Sequence, residues 1–323
     1  MRAVVYKEYG TPEVLKLQEV DKPVPKDNEV LIKIHAASVN SWDYDWLTGR
    51  PLIYRLLFGL FKPKINILGA DVSGTIEAVG SKVIKFKLGE EVFGDLSGGN
   101  WGGFSEYVCA PENSFVIKPP GITFDQAAAI PQAGVMALQG IRDYGNVQSG
   151  QKVLINGGGG GMGTFAIQLG KLSGAEVTGV DSEIKLEIMR SLGADHVLDY
   201  TKEDFTESGE IYDLILDNAA HHSVFDYLKI LRPGGAYYVV GGSVGRILQI
   251  LFIGSWLAKI RGRKMGILAH KPNLNLSYLA ELMNSGKISA AIDKKYELNE
   301  VPEAMHYFGE GKHKGKLIIK VSQ

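Results

Sequence analysis

The chain has 323 residues, 45% hydrophobic and 22% charged, with a formal net charge of −1. That length exceeds one ordinary core and suggests two domains of a globular protein, while the near-neutral balance offers no clustered basic face, so nucleic acid is set aside as a partner. Cys109 is the only cysteine, which excludes an internal disulfide and a thiolate-rich structural zinc site and fits a cytoplasmic setting.

The opening MRAVVYKEYG alternates like a strand and lacks the three-part pattern of a secretory signal. No apolar stretch reaches the ~18 residues needed to span a bilayer. From Met1 to about Pro120, short β-rich runs such as Ala3 to Tyr6 and Val30 to Ile34 alternate with Pro, Gly and Asn, which predicts a mostly β, barrel-like region. Near Gly121 the pattern changes to apolar helical stretches between short strands at Lys152 to Asn156, Glu176 to Val180, His196 to Tyr200, Asp213 to Asn218 and Ala236 to Gly241. Such alternation predicts an α/β, doubly wound parallel sheet. The last strand-like run, Lys316 to Val321, fits either region on pattern alone.

The most specific local signal is KVLINGGGGGMG, a β-branched strand running into Gly158-x-Gly160-x-x-Gly163 and then a helical stretch. Gly158 is expected to permit the tight turn, Gly160 to let backbone approach a pyrophosphate and Gly163 to let the helix pack on the strand. Gly161 and Met162 complete the loop's expected cofactor contacts, and the helical stretch Thr164 to Leu172 that follows offers free N–H groups and a positive dipole end at its N-terminus. A glycine run alone also suits a flexible loop, but here a strand precedes it, a helix follows it, and Asp181 ends the next strand at the spacing of a ribose-binding acid. Asp181 favours the ribose hydroxyls of NADH and repels a 2′-phosphate, whereas Ser182 and Lys185 just beyond it suit that phosphate. Tyr200 and Lys316 complete the expected cofactor contacts.

The blocks AASVNSWDYDWLTG, ILGADVSGTIEAVG, GEEVFG, AAAIPQAGVMALQGI, RSLGADHVLDY, LRPGGAYYVVGG and HKGKLIIKV, with the glycine loop, cover nearly the whole chain. In that order they resemble the medium-chain dehydrogenase/reductase superfamily, and within it the zinc-independent quinone oxidoreductase, or zeta-crystallin-like, branch. The resemblance implies a GroES-like, mostly β catalytic domain of residues 1–121 completed by residues 267–323, with a Rossmann domain of residues 122–266 inserted and the cofactor in the cleft between them. It also assigns the final strand to the catalytic domain. Zinc-dependent members place a Cys ligand where this chain has Asn40, and Gly-His-Glu where it has Gly69-Ala70-Asp71. No metal is therefore expected, and adjacent His221 and His222 are read as a surface loop rather than a metal site.

Without a Lewis acid the superfamily's usual route to alcohol oxidation is lost. A quinone or an α,β-unsaturated carbonyl becomes the expected small-molecule acceptor for hydride from NADPH or NADH, given orientation and donors to the developing oxyanion. Candidates for that work are Asn40, Asp43 and Tyr44, in the loop that the resemblance places over the nicotinamide. The plainer reading is that Asn40 and Asp43 cap a turn or the following helix. No residue is named as proton donor, a role water can fill. By resemblance Asn218, Ala219, Gly241 and Gly242, at the ends of Rossmann strands, line the nicotinamide pocket, while Met136 stands where relatives often carry a Thr hydroxyl. The branch usually prefers NADPH, and set against Asp181 this predicts dual use or a modest NADH preference. Alternatives are reduction of another carbonyl and a non-catalytic NAD(P)H-binding protein. Leu248 to Lys264 is an apolar stretch with four basic residues. It is read as packing a dimer contact or the acceptor cleft in preference to lying on an anionic membrane, and a homodimer is the family habit.

Overall fold

The computed structural model describes residues 1–52, 55–56 and 59–321. They fall into two units, Met1–Val135 with Pro272–Gln323, and Met136–Lys271.

The first unit is organised by β3 (Glu29–Val39), whose alternating and β-branched residues suit a strand shared by several partners. Its first half pairs with β6 (Tyr107–Pro111) and its second half with β15 (Lys316–Lys320), while β4 (Asp71–Val79) runs along it, all antiparallel. Of its two register shifts against β4, the one between Ile34 and Ala36 falls where the strand passes from one partner to the other. The sheet continues through β5 (Glu91–Asp95) and β7 (Val116–Ile117), and β14 (Ile292–Glu297) lies parallel to β15 on the far edge. β1 (Arg2–Val5) and β2 (Lys16–Glu19) form a separate antiparallel pair. One face buries Val30, Ile32, Val72, Leu317 and Ile319. The other buries Ala36 and Ile318 beneath Ala128 and Ala129 of the helix Phe124–Ala129. The closing strand therefore sits in the N-terminal sheet. Because that helix packs on this sheet and Ser73 Oγ donates to Phe124 O over 2.7 Å, the units divide at Val135/Met136 and Lys271/Pro272, later in the chain than the change of pattern near Gly121.

The second unit is a six-stranded parallel sheet in the order β10-β9-β8-β11-β12-β13. Its strands are β8 (Lys152–Asn156), β9 (Glu176–Asp181), β10 (His196–Asp199), β11 (Tyr212–Asp217), β12 (Leu231–Val239) and β13 (Lys264–Ile267). Burial on both faces explains why the central strands β8 and β11 read as apolar runs. The order reverses between β8 and β11, the switch point beside which ligands bind in such sheets. Among the described residues no helix is long and apolar enough to cross a membrane.

Candidate functional site

In the second unit β8 delivers the chain into Gly157, whose φ of +78° is left-handed. Gly157, rather than Gly158, therefore makes the tight turn. Gly158 is required for packing, since a Cβ there would lie 2.6 Å from Met189 Sδ, and at Gly163 a Cβ would lie 2.2 Å from Gly157 O. Gly160 differs: its Cβ would meet only Gly157 O at 3.5 Å, so its outer face is open. The helix Gly161–Leu172 starts beside it. The first intrahelical bond runs from Thr164 N to Gly160 O (3.0 Å), leaving the N–H groups of Gly161, Met162 and Gly163 without helical acceptors. Gly157 N and Gly158 N both donate to Val180 O, tying the loop to β9. An open glycine face over free N–H groups at a helix start fits a pyrophosphate.

The end of β9 gathers the other expected nucleotide contacts. Asp181 is buried; its Oδ2 accepts from Gly159 N (3.0 Å) and its Oδ1 from Ser182 N (2.9 Å). Lys185 Nζ stands 3.6 Å from Oδ1, and its side chain lies where a Gly159 Cβ would point. The carboxylate is thus partly neutralised and committed to the loop, less free for a ribose than its position in the sequence suggests. Tyr200 is exposed, and its N–H donates to Asp181 O. At the ends of β11 and β12, Asn218 Nδ2 donates to Asn156 O, and Ala220 N to Gly241 O, which brings Asn218, Ala219, Gly241 and Gly242 together. Beneath them lies a network that sequence reasoning missed. Fully buried Asp217 accepts from Asn156 Nδ2 (2.8 Å), Ala219 N (3.0 Å) and Tyr237 Oη (2.8 Å), stapling three strand ends. Burial, then the Asp217 carboxylate, raises the Tyr237 hydroxyl, which keeps it a donor.

In the first unit, strand register builds a buried polar cluster. Ser38 on β3 stands opposite Asp71 on β4, and Leu317 on β15 opposite Val39, so the ends of three strands meet around Asn40. Lys316 Nζ donates to Asn40 Oδ1 and to Val39 O (3.2 Å), and lies 3.5 Å from Asp71 Oδ2. Asn40 Nδ2 donates to that same oxygen (3.0 Å). Ser38 Oγ (3.3 Å) and Gln132 N (3.1 and 3.2 Å) complete the shell of Asp71. These partners orient the Asn40 amide, with Oδ1 toward the cation and Nδ2 toward the anion. One Nδ2 proton remains unassigned, and Asn40 retains 5% exposure against 0% for Asp71. The buried Gln132 Nε2 has no hydrogen-bond partner among the described residues. Ser38, Gln132 and the position of Lys316 here were not foreseen; a lysine opening the buried run KLIIK was the available signal.

Tyr44 stands apart from this cluster's hydrogen bonds, and Asp43 meets it only through backbone. Asp43 accepts from Asn40 N (2.8 Å) at the start of the helix Ser41–Thr48 and from Gly69 N (2.9 Å) just before β4, which is the plainer of the two expected roles. Tyr44 packs on Phe308, and its hydroxyl lies against Gly309. Burial pushes the Asp43 carboxyl up to about 7 despite the two backbone donors. Burial likewise raises Asp71 to about 6 against the pull of Lys316, and it lowers the Lys316 ammonium against the pull of Asp71. A carboxyl raised above its unfolded value of about 3.9 stabilises fully below that value, and the contribution is lost as pH rises through about 7. Urea unfolding from about pH 6 to about pH 8 is therefore expected to show wild type losing roughly 1 kcal/mol relative to Asp43→Asn, whose amide does not titrate. A constant gap between the two would contradict this.

His221 Nδ1 lies 2.8 Å from Ala219 O, and half-buried His222 stands edge-on to Phe205 and Tyr227. Among the described residues no three His, Cys, Asp or Glu side chains are grouped to hold a metal ion.

Comparison with known proteins covers both units. Residues 26–120 match the alcohol dehydrogenase GroES-like domain family, and residues 192–319 a family described as zinc-binding dehydrogenase. The chain is 32% identical to the 2-methylene-furan-3-one reductase of Solanum lycopersicum, over 99% of this chain and 79% of that protein. It is 31% identical to a chloroplastic quinone-oxidoreductase homolog of Spinacia oleracea, over 99% and 98%. The structure of the quinone oxidoreductase from Coxiella burnetii matches with a TM-score of 0.90 at 30% identity, over 100% of this chain and 99% of that one. With its seven-stranded antiparallel-rich sheet, its six-stranded parallel sheet and relatives matched over most of their length, the chain belongs to the medium-chain dehydrogenase/reductase superfamily, in the quinone oxidoreductase-like branch.

Proposed function

We propose that this oxidoreductase reduces a quinone or an α,β-unsaturated carbonyl with NADPH or NADH, without a metal ion. The observation that carries the reading is the buried Asn40–Lys316–Asp71 cluster. An amide and an ammonium are poor metal ligands, but together they form a preorganised source of positive potential for a developing oxyanion. The names of the tomato reductase and the quinone oxidoreductases point to the same acceptor class.

The nicotinamide, when bound, supplies hydride. The free N–H groups of Gly161, Met162 and Gly163 hold the pyrophosphate, and Asn218, Ala219, Gly241 and Gly242 offer the surface for the ring. The remaining Nδ2–H of Asn40, polarised by Lys316 on Oδ1, hydrogen-bonds the acceptor oxygen and stays on the amide. Lys316 and Asp71 are buried and position the amide, and water delivers the final proton. The test is cofactor consumption across quinones, enones and aldehydes, with and without EDTA. Turnover of quinones or enones unchanged by chelator is expected. Activity lost in EDTA and restored by zinc would overturn the metal-free reading, and tight cofactor binding without consumption would favour a non-catalytic protein.

Cofactor choice follows from Asp181 and Lys185. With the carboxylate shared between the loop and the lysine, wild type is expected to use both cofactors, with kcat/KM values within about tenfold. Lys185→Ala removes the cation for a 2′-phosphate and frees Asp181 for the ribose, so the ratio is expected to move toward NADH by one to two decades, roughly 1.5–3 kcal/mol. A wild type that prefers NADPH a hundredfold, unaltered by Asp181→Ser, would show that Asp181 does not read the ribose.

A further inference from the structure

Between β12 and β13 the chain is helical from Val244 to Ile260, with a π-wound central turn. Ile250, Gly254 and Ala258 are buried, and Ile247 and Leu257 pack on the core of the second unit. The opposite side is apolar as well. Val244, Leu248, Phe252, Trp256 and Ile260 recur every fourth residue and are all exposed, Phe252 to 76% and Trp256 to 65%. A helix apolar on both faces has a second surface to bury, and such a contiguous exposed patch marks an interaction site.

The surrounding charge indicates what covers it. Residues 227–271 carry eight Lys and Arg and no Asp or Glu, in a chain of net charge −1. Lys229 and Arg232 are paired with Glu207 and Asp213. Lys259, Arg261 and Lys264 are exposed at the C-terminal end of the stripe, without a carboxylate partner among the described residues. A second copy docked through the same stretch would bring apolar surface but no carboxylate for these cations, since residues 227–271 hold none. An anionic bilayer supplies both the apolar layer and the opposite charge. We infer that the 244–260 stretch is a membrane-surface element that inserts its Phe252–Trp256 stripe at the lipid boundary while Lys259, Arg261 and Lys264 engage anionic headgroups. The exposure of that stripe reverses the preference drawn from sequence alone.

The test is co-sedimentation of the full chain with vesicles of phosphatidylcholine and phosphatidylglycerol, against vesicles of phosphatidylcholine alone. Binding to the mixed vesicles only, weakened by salt, is expected. Replacing Lys259, Arg261 and Lys264 by Gln should lower the partition coefficient about a hundredfold, since each cation contributes roughly a factor of five. Phe252→Glu with Trp256→Glu should abolish binding, with the thermal unfolding temperature of both variants unchanged. If the paired Glu variant unfolds early, the Gln variant, altered only at exposed heads, decides alone. The proposal is overturned if wild type ignores the mixed vesicles, or if the Gln variant binds them as well as wild type. A concentration-dependent dimer that the Glu variant dissociates, without vesicle binding, would assign the stripe to a second copy instead.

Discussion

Gly160→Val is expected to lose nucleotide binding while unfolding at the wild-type temperature. The protein around Gly160 leaves room for a side chain, with Gly157 O at 3.5 Å as the only atom a Cβ would meet, and its φ of −83° suits any residue. The space that valine fills is the space a pyrophosphate needs to reach the free N–H groups of Gly161, Met162 and Gly163. Two charge-assisted hydrogen bonds lost there are worth about 3–6 kcal/mol, or two to four decades in Kd. Gly163→Ala is the contrast. Its Cβ would lie 2.2 Å from Gly157 O, a backbone atom that cannot swing aside, so that variant should lose thermal stability itself. Titration of NADPH and NADH into both proteins, beside their unfolding curves, separates the cases. Wild-type affinity in Gly160→Val would remove the loop from the pyrophosphate site. Loss of fold and affinity together would leave the loop a structural role only.

The parts of this architecture that could be read from sequence are those set by short-range physics. β8 is legible to the residue because an apolar run buried on both faces stops at Asn156-Gly157. β3 runs past the Ile34 at which its pattern ends, since the register shift between Ile34 and Ala36 breaks the alternation that defines a strand. β12 begins at Leu231, ahead of the Ala236 that the pattern indicates, because Arg232-Pro233-Gly234-Gly235 carries turn residues although the strand runs through it. The glycine loop is legible, although the left-handed turn falls at Gly157, one residue before the Gly158 expected from the motif. Asn40 drew attention as a missing ligand, but its partners did not, because Asp71 and Lys316 lie 31 and 276 residues away and meet it only through sheet register. The apolar stretch ending in basic residues was visible too. Which of its two apolar faces lies outside was not, because periodicity cannot rank faces that are equally apolar.

Lys316→Met is expected to cost about 3–5 kcal/mol, the loss found when one partner of a buried ion pair is removed. The substitution nearly preserves volume, so the loss comes from what is left behind. The Asp71 carboxylate has no solvent access, and Asn40 Oδ1 loses its donor. Asp71 is already raised to about 6 with the lysine present, and without it the carboxyl moves higher still. Stability held by protonation of such a group is lost as pH rises through its folded value, so the variant's deficit should be larger at about pH 8 than at about pH 5. Adding Asp71→Asn removes the stranded charge, keeps an oxygen to accept from Gln132 N, and offers an Nδ2 donor to Asn40 Oδ1 once that amide turns over. Because a buried pair gains little beyond its desolvation cost, the double variant should recover most of the lost stability. Activity separates stability from function: the double variant, refolded but without the ammonium on Asn40 Oδ1, should keep KM for the nucleotide and lose kcat. Urea midpoints and steady-state rates on the two variants decide it. An unchanged midpoint in Lys316→Met, or a double variant no more stable than the single one, would mean that the ammonium and carboxylate do not depend on one another.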